Sequence, residues 1–328
     1  MADTFNYRID HHGSLVRPAD LATTGVEQAV KDAVVLQRRL RSTVVTDGDF
    51  PREDFRSAVL DAVPGFRRTD ETGPDGLVRW VAKALPEAGG PLVADWAERL
   101  ASLTVIAPKV SLPSPAYLAA TTYRPGLGPS SARELGEALA EIVRAEIALL
   151  VSKGVRLIQL NNPLLLDQLA DDHGPLWLGD ALAVEAAAVR LDERPEGVRI
   201  GLCPGWAAPA AVDRAAAERL YAEVPADRWV LPFDQGTQAE LDLVRALPED
   251  RGVCLGVVDA TVPALEDIDT VLARIDAAGE VKDLEDAALS PSRGFADVAS
   301  RPLLGAEEQR RKLVLVETLA RYVWGNEF

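Results

Sequence analysis

The chain has 328 residues, of which 48% are hydrophobic and 26% are charged; this composition excludes intrinsic disorder and supplies enough apolar side chains for a sizeable core. Its formal net charge of −16 disfavours nucleic acids and membrane surfaces as partners, because both are themselves negatively charged. Two cysteines exclude a disulfide framework, and neither a signal peptide nor an apolar run long enough to span a bilayer is recognised, so a cytoplasmic location is expected.

Apolar runs alternate with helical patterns along nearly the whole chain, which is typical of parallel strands joined by crossover helices. Strands are predicted, in chain order, over residues 7–11, 43–46, 103–107, 156–160, 198–202, 228–232, 252–257 and 286–289. Helices are predicted over residues 131–153, 208–223, 237–246, 264–277 and 306–323. The stretch 113–129, which contains several prolines and glycines, is expected to be a long loop after the third strand.

The order of these elements distinguishes two α/β architectures. About eight strand and helix units favour a single (β/α)8 TIM barrel that takes up residues 1–328 as one domain. A doubly wound open sheet is the alternative, but the Gly-x-Gly-x-x-Gly motif of its dinucleotide-binding members is absent after the first strand. In a barrel, the residues that follow each strand converge at the C-terminal end, where catalytic sites lie.

Polar side chains follow the predicted strands and form the candidate site. His11 and His12 are candidates for general acid or base catalysis, Cys203 is a candidate nucleophile, and Asp49 is a further catalytic candidate. The candidates for substrate binding lie at the same strand ends: Ser14, Arg17, Asn161, Asn162, Trp206, Asp234 and Arg293. The expected partner is therefore a small molecule, and the sequence leaves open whether the chain forms a homo-oligomer.

Several candidates also have a purely structural explanation. The two histidines suit a solvated turn, and Asp49 suits the N-cap of a helix that begins near residue 51. The two asparagines can end a strand by bonding the local backbone, and Trp206 can be a packing aromatic. Cys254 lies within an apolar strand and is expected to be an inert buried thiol.

Longer motifs resemble a known family. The runs R-I-D-H-H-G-S-L-V-R-P at 8–18 and V-V-T-D-G-D-F-P-R at 44–52 are similar to the start of the catalytic domain of cobalamin-independent methionine synthase. Later landmarks follow in order: I-Q-L-N-N-P at 158–163, V-L-P-F-D at 230–234, L-G-V-V-D-A at 255–260, L-S-P-S-R-G-F-A at 289–296 and E-E-Q-R-R-K-L-V-L-V-E-T-L-A-R-Y-V-W-G at 307–325. The resemblance spans nearly the whole chain and implies a barrel that uses zinc to activate a homocysteine thiolate for methyl transfer from a folate.

The residues at the family's zinc positions differ in this chain. The family builds the zinc site from His-x-Cys after the fifth strand, Glu after the sixth and Cys in the loop after the eighth. The matching positions here carry Gly201 and Cys203, then Pro232, then Arg293. Zinc needs three or four N, S or O ligands, so no bound metal is predicted, with Cys203 the only remaining family ligand. No other cofactor is predicted.

The resemblance also implies an altered amino-acid pocket. The acidic residues that hold the substrate ammonium in the family correspond to Asp49 and Asn161, and Asn162 replaces a further acid. Ser14 is retained and suits a substrate carboxylate. Loss of one carboxylate removes a charge-assisted hydrogen bond worth about 1.5–3 kcal/mol, so homocysteine is expected to bind less tightly.

Three functions remain open. The first is a diverged, zinc-independent transferase or lyase that acts on a small anionic metabolite by alkyl or one-carbon transfer or carbon–sulfur bond chemistry. In that case Arg293 is expected to lower the pKa of Cys203. The second is a methyltransferase of the 5-methyltetrahydrofolate–homocysteine type that holds zinc through substitutes such as His11 or Asp234. The third is a barrel that binds a ligand without catalysis.

Overall fold

The computed structural model describes residues 7–73 and 75–325 of the chain. Its strands, in chain order, are β1 (Val44–Val45), β2 (Phe66–Thr72), β3 (Val78–Ala82), β4 (Ala107–Pro113), β5 (Leu157–Asn161), β6 (Arg199–Cys203), β7 (Arg228–Pro232), β8 (Gly252–Val258) and β9 (Ala287–Pro291). Within the described ranges, seven of these strands form one curled parallel sheet in the order β1-β4-β5-β6-β7-β8-β9, while β2 and β3 form a separate antiparallel hairpin.

Helices connect the strands of this sheet. In chain order they are α1 (Leu21–Thr24), α2 (Val26–Arg39), α3 (Ser57–Leu60), α4 (Ala94–Ser102), α5 (Pro115–Thr122), α6 (Ala132–Ser152), α7 (Leu165–Ala170), α8 (Leu178–Val189), α9 (Arg214–Glu223), α10 (Gln238–Arg245), α11 (Ile268–Gly279) and α12 (Ala306–Trp324). The predicted α/β class and parallel sheet are confirmed, although the parallel sheet of the described residues contains seven strands and not eight. Across residues 7–73 and 75–325, no helix combines the length and the apolar composition needed to cross a bilayer.

The first predicted strand, over 7–11, is an isolated bridge. Ile9 pairs in parallel with Leu289 of β9, and the Asp10 amide donates to the Leu289 carbonyl at 2.9 Å. On the other side, the Ile9 amide donates to Thr43 Oγ1 at 2.9 Å, while the Thr43 amide donates to the Ile9 carbonyl at 3.0 Å. On the Thr43 side, a side-chain hydroxyl therefore takes the place of one backbone acceptor of a regular ladder.

The two faces of the sheet differ in composition. Successive side chains of a strand point to opposite faces, and on β5 Ile158 and Leu160 pack in the main apolar core against the helices. Gln159 lies between them and faces the side that the curled sheet encloses. A small buried cluster also lies on residues of β6 to β9: Cys203, Val230, Cys254 and Ala288. The main core therefore sits between sheet and helices, and the enclosed side admits polar groups.

Local signals explain the best-predicted helix. The Ser131 side chain accepts a hydrogen bond from the Glu134 amide at 3.0 Å and caps the start of α6. Gly154, with φ of 90°, follows the end of the helix in the left-handed region that glycine favours. The predicted helix over 131–153 is confirmed within one residue at each end.

Two predictions around β4 are wrong. The strand begins at Ala107, where the predicted strand over 103–107 ends, because α4 continues to Ser102 and the polar Lys109 and Ser111 of β4 face the enclosed side. The stretch 113–129, expected to be a loop, contains α5. Its cap was missed.

That missed cap follows ordinary helix chemistry. The Ser114 side chain accepts from the Tyr117 amide at 3.1 Å, and Pro115 occupies the first turn. The hairpin of β2 and β3 was also not predicted, because most of its β2 side chains are exposed and lack an apolar alternation.

The start of α9 also differs from the prediction. The Asp213 side chain accepts a hydrogen bond from the Ala215 amide at 2.9 Å and caps α9, which begins later than the helix predicted over 208–223.

Candidate active site

The two adjacent histidines point to opposite sides of the sheet. His11 faces α2, where its Nε2 donates to Gln37 Oε1 at 2.7 Å; the Gln37 amide nitrogen donates to two backbone carbonyls, which identifies Oε1 as the acceptor. His12 lies on the enclosed side beside Gln159. Burial lowers the pKa of His11 to about 4 and that of His12 to about 3, so both imidazoles are neutral at neutral pH.

His12 belongs to a hydrogen-bonded chain at the ends of β4 and β5. Gln159 Nε2 donates to Asn161 Oδ1 at 2.7 Å and lies 3.3 Å from His12 Nδ1. Ser111 Oγ donates to the His12 carbonyl and fixes the backbone beneath the ring. Within the described chain, His12 Nε2 and Gln159 Oε1 are buried without a hydrogen-bond partner. Buried polar atoms are usually hydrogen-bonded, so these two atoms are candidates for contact with a ligand or water.

A charged cluster lies deeper on the enclosed side. Lys109 Nζ donates to Asp10 Oδ1 at 2.8 Å and to the His11 carbonyl at 2.7 Å, and Arg228 Nη2 lies 3.3 Å from Asp10 Oδ2. Burial opposes ionisation of Asp10, but Lys109 and Arg228 together hold its pKa below the usual value. Two cations face one carboxylate, so the cluster has a net positive charge.

Cys203 ends β6 in register with Asn161 of β5. Its thiol donates to the Gly205 carbonyl at 3.3 Å, and burial raises its pKa to about 12. The predicted lowering of this pKa is wrong, because desolvation of the thiolate outweighs the nearby positive charge. Cys254 is buried as predicted, and burial likewise raises its pKa.

Arg293 stacks on Trp206 and, with Asp297 and Ser14, forms a hydrogen-bonded cluster at the carboxyl ends of the strands, which we call the mouth of the site. Its guanidinium carbon lies 3.8 Å from the Trp206 ring centroid, and Nη2 donates to Asp297 Oδ2 at 2.6 Å. Ser14 Oγ donates to Asp297 Oδ1 at 2.9 Å. A Cβ at Gly294 would lie 2.0 Å from Ser14 Oγ, so glycine is needed for this arrangement. The Arg293 side chain is 23% exposed and is open to a ligand.

Asp49 lies in a second ionic group beside the mouth. Arg52 Nη2 donates to Asp49 Oδ1 at 2.5 Å and to Asp47 Oδ1 at 2.7 Å. Burial raises the pKa of Asp49, and Arg52 opposes that rise. The proposed N-cap role of Asp49 is wrong, since its side chain binds Arg52 and the next helix is α3. Arg17 donates to the carbonyls of Asp49 at 2.8 Å and Arg52 at 2.6 Å.

Asn162 points away from its neighbour Asn161. Its Nδ2 donates to Glu185 Oε1 of α8 at 2.7 Å, and its Oδ1 accepts from the Leu164 amide at 3.2 Å. Ser114 Oγ also donates to Glu185 Oε1. Burial raises the pKa of Glu185 to about 7 despite these hydrogen bonds. This network therefore lies between sheet and helices, on the side opposite the His12 chain.

Asp234 follows β7 in the loop before α10. Its carbonyl accepts a hydrogen bond from Arg274 of α11. Burial raises the pKa of its carboxyl to about 6, and Asp259 and Glu240 add to that rise. These contacts place Asp234 with the outer loops of the strand ends, and not in the His12 chain.

The structure thus joins one part of the predicted set through contacts or strand register: His12, Asn161, Cys203, Trp206, Arg293 and Ser14. The side chains of His11, Arg17 and Asn162 bond to other groups. Sequence reasoning missed Gln159, Lys109 and Asp297. Gln159 lay within a quoted motif, and Lys109 followed the strand predicted over 103–107, whereas the structure places it within β4.

Zinc is the metal that the resemblance implies, and the side chains at the matching positions do not fit it. Among residues 7–73 and 75–325, no three His, Cys, Asp or Glu side chains are grouped so as to hold a metal ion. Cys203 keeps its hydrogen bonded to Gly205, and Arg293 brings a positive charge that cannot ligate a cation.

Comparisons with known proteins support the resemblance, although no family model matches the chain. Uncharacterized protein YxjH of Bacillus subtilis (strain 168) is 24% identical, and the match covers 97% of this chain and 95% of that protein. The 5-methyltetrahydropteroyltriglutamate–homocysteine methyltransferase of Aliivibrio fischeri (strain MJ11) is 25% identical over 180 residues, which are 52% of this chain and 23% of that enzyme.

A solved structure matches over the whole fold. The B12-independent methionine synthase from Shewanella sp. W3-18-1, determined in complex with selenomethionine, superposes with a TM-score of 0.77 at 17% identity and covers 97% of each chain. The resemblance carried by the sequence motifs is confirmed: this chain has the fold of the cobalamin-independent methionine synthases.

Proposed function

We propose that this chain is a methyltransferase-related enzyme that works without zinc on a small anionic thiol. The observation that carries the proposal is the connected group of His12, Asn161, Cys203, Trp206 and Arg293 at the carboxyl ends of the strands. Its fold is shared with a methionine synthase over nearly the whole chain. In this proposal the segment around Ile9, which is hydrogen-bonded to β9 on one side and to Thr43 on the other, completes an eight-stranded barrel.

Positive charge at the mouth favours an anionic substrate. Arg293 is held by Trp206 on one face and by Asp297 at its edge, and it remains partly exposed. Below it, Lys109 and Arg228 outnumber Asp10. In this proposal a substrate carboxylate binds between Arg293, whose charge is shared with Asp297, and the buried cations Lys109 and Arg228. Charge interactions of buried groups are stronger than in water.

The reaction is a methyl transfer to sulfur. The S–H bond of the thiol and the bond between the methyl carbon and the donor nitrogen both break, and a sulfur electron pair forms the new S–C bond. The donor nitrogen keeps the electron pair of its broken bond and takes up the proton released by the thiol, so a thiol and an N-methyl donor give a thioether and an N–H group. Neutral His12 and Asn161 orient the substrate through hydrogen bonds. Burial raises the pKa of Cys203 to about 12, so it remains a thiol at neutral pH. In this proposal Cys203 therefore lines the site and does not act as a nucleophile.

The test uses purified protein, 5-methyltetrahydropteroyltriglutamate as donor and a panel of thiols: L-homocysteine, 2-mercaptopropionate and 3-mercaptopropionate. Mass spectrometry measures the S-methyl product in the presence of EDTA and, separately, with added zinc. We expect a methylated product whose rate of formation is unchanged by EDTA. A product that forms only with zinc would overturn the zinc-independent proposal and favour a rebuilt metal site, and the absence of product from every thiol would favour a non-catalytic barrel.

Matched arginine variants test the role of the mouth. Arg293→Leu is expected to raise KM for the carboxylate thiols by roughly tenfold or more, because it removes a charge-assisted contact. Arg133→Leu serves as the control, since Arg133 is more than half exposed and pairs with Glu137 and Asp180 on the outer helices. An equal effect of both substitutions would contradict the assignment of Arg293.

A further inference from the structure

Two neighbouring side chains below the mouth, His12 and Gln159, each have one unpaired polar atom. His12 Nε2 and Gln159 Oε1 have no hydrogen-bond partner in the described part of the chain. The His12 side chain belongs to a residue that is 5% exposed, and Gln159 is 1% exposed. Bulk water therefore does not satisfy them, and leaving each unpaired is costly.

The hydrogen bonds around Gln159 determine what each unpaired atom offers. Gln159 Nε2 donates one hydrogen to Asn161 Oδ1 at 2.7 Å, and its second hydrogen faces His12 Nδ1 at 3.3 Å. His12 Nδ1 is thereby the acceptor, so the single proton of the neutral ring resides on Nε2. His12 offers a free N–H donor, and Gln159 Oε1 offers a free acceptor.

The charges near His12 favour an anionic partner for that donor. Lys109 of β4 and Arg293 of the last loop both oppose protonation of the His12 ring, whereas Asp10 acts in the opposite sense. Burial is the main cause of the lowered pKa of His12, and the positive charges of Lys109 and Arg293 add to it. The same positive charges stabilise an anionic oxygen placed on the Nε2–H.

We propose that His12 and Gln159 form a recognition subsite for a mercapto acid or hydroxy acid. His12 Nε2–H donates to a carboxylate oxygen of the ligand, and the S–H or O–H of the same ligand donates to Gln159 Oε1. This assignment rests on the proposed function for the thiol class, and it adds a specific reason why the acid must also bear a hydrogen-bond donor.

The first test observes the histidine rings of the wild-type protein directly. Two-bond 1H–15N NMR spectra at neutral pH should show the His12 proton on Nε2. Addition of sodium lactate or 3-hydroxypropionate should shift the His12 nitrogens with saturation, while exposed His173 should not shift. A proton on Nδ1, or a His12 signal that no hydroxy acid moves, would overturn the subsite and leave a bound water as the occupant.

The second test separates the contribution of Gln159. Propionate lacks the hydroxyl and should bind at least about tenfold more weakly than the better hydroxy acid, because Gln159 Oε1 then stays unpaired. Gln159→Met removes the acceptor and should abolish this preference. A preference that persists in Gln159→Met would contradict the assigned acceptor.

The third test links the subsite to turnover and keeps the two proposals distinguishable. His12→Phe should raise KM for the methylated mercapto acid by roughly tenfold or more with a smaller change in kcat, and His173→Phe should change neither. Unchanged KM in a folded His12→Phe protein would overturn the subsite while the proposed function stands. If no thiol is methylated but lactate still shifts His12, the subsite stands and the methyl-transfer function fails.

Discussion

Two buried polar networks lie on opposite faces of the same strand ends. On the enclosed side, the chain of His12, Gln159 and Asn161 leaves a donor and an acceptor unpaired above a positively charged cluster. On the helix side, Ser114 and Asn162 both donate to Glu185, and the three side chains tie β4 and β5 to α8. Glu185 Oε2 is likewise buried without a hydrogen-bond partner in the described part of the chain. The second network lies between sheet and helices and connects secondary-structure elements, whereas the first lies at the strand ends near the partly exposed Arg293.

The difference shows how function and stability are separated within a few residues. Asn161 and Asn162 are adjacent, yet their side chains enter different networks because a strand alternates its faces. His11 and His12 divide in the same way, the former toward Gln37 of α2 and the latter toward Gln159. Substitutions on the helix side should therefore affect folding, and substitutions at the mouth should affect binding.

The largest expected effect comes from the charged cluster beneath the enclosed network. Lys109→Met leaves Asp10 buried with a single, longer ion pair to Arg228 and should lower the free energy of unfolding by about 3–5 kcal/mol. Urea denaturation measures the loss, with Lys31→Met on the exposed face of α2 as the control. A loss no greater than that of the control would show that the cluster does not stabilise the fold.

The two networks should respond to pH with opposite signs. His12 has a folded pKa of about 3 against 6.5 in the unfolded chain, so its contribution is complete above pH 6.5 and is lost as the pH falls toward 3. Glu185 has a folded pKa of about 7 against 4.5, so its contribution is complete below pH 4.5 and is lost as the pH rises through 7.

Urea unfolding between pH 7 and 4.5 isolates each contribution. Relative to Glu185→Gln, the wild-type protein should gain about 1.4 kcal/mol per pH unit as the pH falls, and relative to His12→Gln it should lose a similar amount below pH 6.5. Parallel pH profiles for the wild type and both variants would contradict the burial of these groups.

The adjacent residues Asn161 and Asn162 allow a direct comparison of the two networks, with smaller expected losses of stability. Asn162→Ala removes a donor to buried Glu185 and should cost about 1–3 kcal/mol of unfolding free energy. Asn161→Ala should cost less, about 1 kcal/mol, because Gln159 keeps His12 as a partner. Thermal and urea unfolding of both variants test the order, and the reverse order would argue against the separation of the networks.

The smallest effect on stability is expected at the mouth. Arg293→Lys keeps the charge but loses the planar stack on Trp206, and it should change the unfolding free energy by less than about 1 kcal/mol. Its effect on KM should be larger than its effect on stability. A loss of several kcal/mol would show that Arg293 is a structural residue.

Much of the fold was predictable because its signals are local. The strand over 228–232 was placed correctly, and the cap at Ser131 with Gly154 set α6 nearly to the residue. The strand near β4 was misplaced because polar Lys109 and Ser111 fall within it, so that the apolar run before them was predicted as the strand. The partner of Lys109, Asp10, is about a hundred residues away along the chain, and no local pattern reveals that pairing.

The sequence by itself determined the α/β class, the motifs of a methionine synthase-like fold and the set of polar residues at the strand ends. Only the tertiary structure decided which member of each adjacent pair faces the enclosed side, and that burial leaves Cys203 a thiol and His12 neutral. The physical reason is that hydrogen-bond partners and desolvation are set by residues far apart in the chain, while helix caps and strand periodicity are set by neighbours.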